Sequence, residues 1–119
     1  MKSMTQLLAD LNQIYLDPVT RLHPVPFVAW AWDALPDAEA WGVIAPDGAR
    51  ADWAGNGLDD QAITGTVDLF TRTDIGDLVD AVQAVLNDAG VSWRMSDMLY
   101  DQAARAAHII WDWETVEGL

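Results

Sequence analysis

At 119 residues, 51% of them hydrophobic and none of them cysteine, the chain reads as one domain with a substantial core, and disulfides and thiolate metal sites are excluded. The net charge of −13 leaves only Lys2, Arg21, Arg50, Arg72, Arg94 and Arg105 as cations, too scattered to form a phosphate-neutralising stripe, so nucleic-acid binding is not expected. No apolar run approaches the ~20 residues of a membrane span. Asp10 and Asn12 also break up Leu7, Leu8 and Leu11 before they form a signal-peptide core, so the chain is expected to be intracellular where it is made, in a reducing cytoplasm, with no membrane partner.

Leu7, Leu8, Leu11, Ile14 and Tyr15 share a helical face, Ser3 and Gln6 have capping-box spacing, and Pro18 predicts a stop near Leu16 or Asp17. Residues 19–26 read as a connector. Phe27 to Trp32 reads as a strand with Val28, Trp30 and Trp32 on one side, and Trp41 to Ala45 as a second. Pro46-Asp47-Gly48 reads as a turn that opens a long polar loop over 47–60, with three glycines, four aspartates and Trp53. Gln61 to Thr71 alternates as a strand.

Ile75, Leu78, Val79, Val82, Val85 and Leu86 make a second amphipathic helix, capped by Thr73 or Asp74 and closed by Gly90 at the C′ position. Val91 to Asp101 is expected to be a strand that turns irregular around Ser96-Asp97. The last strand is expected over Ala104 to Glu117, carried by His108-Ile109-Ile110-Trp111-Asp112-Trp113. The predicted fold class is α+β, in the order α-β-β-β-α-β-β: an antiparallel sheet of four to five strands with two helices packed on one face. The single domain spans 1–119. The other sheet face keeps large aromatics, chosen by a register that the sequence leaves open.

His23 and His108 lie in unrelated segments without metal-ligand spacing, and a lone histidine among apolar residues reads as a hydrogen-bonded structural group. Asp47, Asp52, Asp59 and Asp60 could hold a hard cation, but the ordered ligand pattern of a calcium loop is missing and a solvated acidic loop is the plainer reading. Phosphate loops, dinucleotide fingerprints and nucleophile elbows are absent, so no enzyme activity, catalytic residue, metal or cofactor is expected. Seven tryptophans exceed what one small core encloses, and Trp30, Trp32, Trp53, Trp111 and Trp113 are the candidate interface residues. At least two indoles are expected to stay accessible in a monomer and to be covered in an oligomer.

Val25-Pro-Phe-Val-Ala-Trp, Trp41-Gly-Val-Ile after a proline-bearing loop, the glycine- and aspartate-bearing loop, Thr66-Val-Asp-Leu-Phe-Thr-Arg-Thr-Asp, the helix Leu78 to Asn87 and the closing Leu99-Tyr100 to His108-Ile-Ile-Trp-Asp-Trp-Glu pair carry a resemblance. In this pattern of elements, over roughly residues 4–117, the chain resembles the tail-terminator, minor tail and neck proteins of long-tailed bacteriophages and prophages. It departs from them in its wealth of tryptophan and alanine and its scarcity of lysine.

The resemblance implies a structural virion protein whose homo-hexameric ring caps the tail tube, joins tail to head, and contacts the tube protein and the head–tail connector proteins. A negative subunit suits a ring through which DNA passes. The loop 47–60 is expected to order on a neighbour, and deleting 50–59 to leave a folded monomer that no longer caps tails. The alternative is an acidic, nucleic-acid-mimicking inhibitor or adaptor that binds a basic host protein.

Overall fold

Ser3 opens the first helix, α1 (Met4–Leu11): its Oγ accepts a hydrogen bond from the Gln6 amide at 3.1 Å, satisfying one of the donors a helix start leaves free. The computed structural model describes residues 3–30, 38–51, 61–73 and 75–115. The helix stops at Leu11, short of the expected Leu16 or Asp17, because Asn12 takes over the backbone groups there. Its Nδ2 donates to Leu8 O and to Phe27 O, and its Oδ1 accepts from Phe27 N. A short amide side chain of this kind competes with helix continuation.

The expected connector contains a two-stranded antiparallel ribbon, β1 (Tyr15–Asp17) and β2 (Leu22–Pro24). Asp17 Oδ1 accepts from the amides of Val19 and Thr20 and folds the turn back, with Arg21 and His23 both at φ 58°. The chain then forms β3 (Phe27–Ala29), β4 (Ala40–Ala51), β5 (Gln61–Thr71), α2 (Gly76–Ala89), β6 (Val91–Asp101) and β7 (Ala106–Thr115). The α+β class and the two helices stand among the described residues, but the strands are more numerous than the predicted order allowed.

The main sheet has the order β3-β4-β5-β7-β6. It is mixed rather than antiparallel, because β3 runs parallel to β4, with Phe27 opposite Gly42. Side-chain alternation is the same in either direction, so the sequence pattern was blind to this. The first strand ends at Ala29, since Trp30 adopts φ 57° and leaves the extended region. Pro46-Asp47-Gly48 is a bulge inside β4 rather than a turn: the register against β5 shifts between Pro46 and Gly48, and the strand continues to Ala51. Of the expected loop 47–60, the first five positions are therefore strand, and 52–60 lie outside the described residues.

Both helices cover one sheet face, as predicted. Leu7 and Leu11 of α1, and Leu78, Val82 and Leu86 of α2, bury against Ile44, Val67, Leu69, Ile109, Trp111 and Trp113. Each such side chain contributes about 1.5–3 kcal/mol on leaving water. Ile75 holds the N-cap position of α2 without a side-chain bond, in place of Thr73, Asp74 lying outside the described residues, and Gly90 ends the helix in the left-handed region at φ 77°. Two strand glycines mark close approaches: a Cβ at Gly42 would overlap the Phe27 ring, and one at Gly65 the Trp113 ring and the Ala45 carbonyl oxygen. The molecule measures 47 × 30 × 20 Å along its principal axes.

Candidate assembly surface

The helix-free face carries a row of stacked rings. The register sets Trp41 opposite Phe70 and Phe70 opposite His108. Trp41 and Phe70 stack with centroids 5.2 Å apart, and Phe70 and His108 at 4.1 Å. Arg72 lies over the Trp41 ring at 4.6 Å and donates to the carbonyl oxygens of Ala38 and Ala104, fastening the segments on either side. His108 Nε2 donates to Asp68 Oδ2 at 2.5 Å. Asp68 is buried, and its Oδ1 has no partner among the described residues. The aromatic row is thus sealed: Trp41 and Phe70 are both buried. His108 and Asp68 make a histidine–carboxylate pair that ties β7 to β5.

The tryptophans divide sharply. Trp111 and Trp113, expected on an exposed aromatic face, are corrected by the structure: both lie in the core beneath the helices. Their shared parity was legible, but it directs them toward the helices. Trp111 Nε1 donates to Gln83 Oε1, whereas Trp113 Nε1 is buried without a partner among the described residues. Trp93 is half-buried and donates to Asn87 Oδ1. Trp30 is 63% exposed, with Nε1 tied to Pro46 O at 3.1 Å. Trp32 and Trp53 lie outside the described residues. Of the five candidates, the structure therefore presents Trp30 at the surface and withdraws Trp111 and Trp113.

Exposed apolar side chains gather at the two ends of the main sheet. At the β3 end stand Val28 and Trp30, and Val19 and Leu22 are exposed in the ribbon that precedes β3 in the chain. At the β6 end stand Met95 (37% exposed), Met98 (48%), Leu99 (41%) and Tyr100 (61%), which sequence reasoning did not single out. The signal was present as the non-alternating run Met98-Leu99-Tyr100 beside the expected irregularity. The register against β7 shifts between Met95 and Asp97, and a strand at the sheet's edge has nothing beyond it to cover either side.

A cleft of ≈ 380 Å³ opens beside Asp47, Thr64, Ser92, Arg94, Asp112 and Glu114. Its polar groups answer one another: Thr64 Oγ1 donates to Asp47 Oδ1 at 2.9 Å, and Arg94 meets Asp112 at 3.5 Å. Asp52, Asp59 and Asp60, weighed with Asp47 as cation ligands, lie outside the described residues, and no grouping of three or more metal-ligating side chains occurs among the described ones. No helix among the described residues is long and apolar enough to cross a membrane. Compared with protein-family models and with curated proteins, the chain matches no family and no relative.

Proposed function

We propose that the chain is a structural subunit of a phage tail or neck, assembling into a ring that caps the tail tube and joins it to the head. One observation carries this reading: among the described residues, a subunit of net charge −13 exposes apolar side chains on both outer strands of one sheet, Val28 and Trp30 at β3 and Met95 to Tyr100 at β6, with Ile63 of β5 the exposed one between them. Two different surfaces on opposite sides of a subunit suit head-to-tail contacts, which close into rings when the rotation per step allows. Elsewhere the acidic surface repels DNA passing through such a ring and keeps subunits from associating at random. The resemblance in element order supplies the tail context, and the fold supports it only at the level of an α+β domain with both helices on one sheet face.

The test adds the purified chain to polymerising tail-tube subunits and images the tubes by negative stain. The expected result is a ring at one tube end and a stop in elongation. Tubes that keep growing and carry no ring refute the reading.

A further inference from the structure

β6 is the outer strand at one end of the main sheet among the described residues. The other outer strand, β3, is plugged: Asn12 bonds both the N–H and the C=O of Phe27. β6 has eleven residues and no described strand beyond it; its Met98 amide donates to the neighbouring Asp97 Oδ1 at 2.8 Å, a local bond that an added strand would displace. A long apolar edge of this kind is a template for another strand.

The identity of that strand follows from the ladder register. Met95 lies opposite Trp111 and Asp97 opposite Ile110, so Ser96 is the extra residue of a bulge. In ladder positions, with Ser96 left out, the edge then reads Arg94, Met95, Asp97, Met98, Leu99, Tyr100, Asp101. Met98 is the midpoint. A two-fold axis there sets Arg94 opposite Asp101 of a second copy, Met95 opposite Tyr100, Asp97 opposite Leu99, and Met98 opposite itself. The charge pair and the methionine–tyrosine pair each occur twice.

The faces agree as well. Arg94 and Asp101 stand opposite Asp112 and Ala106, both on the helix-free face, while Met95 and Tyr100 stand opposite Trp111 and Ala107 on the helix face. In an unbroken strand, residues 94 and 101 would point to opposite faces, because the side-chain period is two. A bulge commonly blunts an edge; this one restores the parity that makes the edge complementary to itself.

We infer that two copies of this chain pair antiparallel along β6 about a two-fold axis at Met98, joining their five-stranded sheets into one. The occupant is a second copy rather than an unrelated strand because, against its own reverse, the edge sets Arg94 on Asp101 and Met95 on Tyr100 with matching faces, the Asp97–Leu99 pairs being the exception. The inference goes beyond the ring reading and does not need it. A ring built head to tail would use this edge differently, so the pair is the form of the chain away from the tail, with its most adhesive edge covered.

The experiment is sedimentation velocity on the full chain. Wild type is expected to pass from monomer to dimer with rising concentration. Arg94→Asp alone and Asp101→Arg alone each set like charges opposite twice, and each is expected to weaken pairing by about tenfold or more. Mixing the two variants restores a 1:1 dimer, and so does the double swap R94D/D101R, because opposite charges again face each other. Asp80→Asn, on the exposed face of α2, leaves the dimer unchanged. Singles that dimerise like wild type, a mixture that stays monomeric, loss of the dimer in Asp80→Asn, or a wild type monomeric at about 0.5 mM each overturn the pairing. None of these outcomes decides whether rings form on tubes, which the tube assay reads separately.

Discussion

Asp68 and His108 show how one pair of side chains can support a sheet face that no helix covers. The carboxylate is buried, one oxygen is held by His108, and the ring of His108 lies flat on Phe70, which lies flat on Trp41. Removing one partner of a buried pair leaves the other desolvated and unanswered, at a cost of about 3–5 kcal/mol. His108→Ala should therefore lower unfolding stability by that order in a urea titration. Asp68→Asn, which keeps an oxygen to accept the Nε2 proton, should cost less. Equal losses would show that the Asp68 carboxylate, rather than the ring stack, holds the face. The sequence made His108 legible as a bonded structural histidine, but its partner lies forty positions away on another strand, and only the register supplies it.

At the scale of elements, long periodic signals were legible and short or directional ones were not. The stripe Leu78 to Leu86, the stop at Gly90 and the alternation of β5 all form where the pattern set them. The irregularity expected at Ser96-Asp97 is the bulge of β6. The β1–β2 ribbon escaped notice because each strand has three residues and its turn rests on an aspartate side chain and two positive φ angles rather than on glycine. Asp17 is held below the usual carboxylate range, first by the Thr20 hydroxyl and amide, then by the Val19 amide and the nearby His23. A carboxyl whose folded value is depressed stabilises the fold above its ordinary value and loses that contribution as pH falls through the folded one. In an NMR titration, Asp17 should titrate below ordinary aspartates, and protection of the Val19 and Thr20 amides should fade over the same interval while β5 stays intact. Amide protection that ignores the titration would mean that the turn is held by other contacts.

For the whole molecule, charge and apolar surface act in opposition, and their separation in space is the main finding. Carboxylates outnumber cationic side chains 19 to 6, yet the exposed methionines, Tyr100 and Trp30 lie on the outer strands or at their ends. Tryptophan content pointed to exposed indoles, and of the candidates described Trp30 is exposed while Trp111 and Trp113 are buried. Residues 111 and 113 face the helices, and the exposed side chains of β6 are methionine, leucine and tyrosine instead. Parity groups residues by face; which face the helices take, and which strand ends the sheet, are settled by packing.

Self-association through apolar edges of like-charged subunits should strengthen as salt screens their repulsion, whereas capture of a basic partner should weaken. The mass distribution of the purified full chain, measured from about 50 to about 500 mM salt, a span over which the screening length falls from roughly 14 to 4 Å, tests this most directly. Oligomers of defined size that gain population as salt rises are the expected result. A chain that remains monomeric throughout, and forms complexes only with a basic protein that come apart as salt increases, would contradict self-assembly as its role.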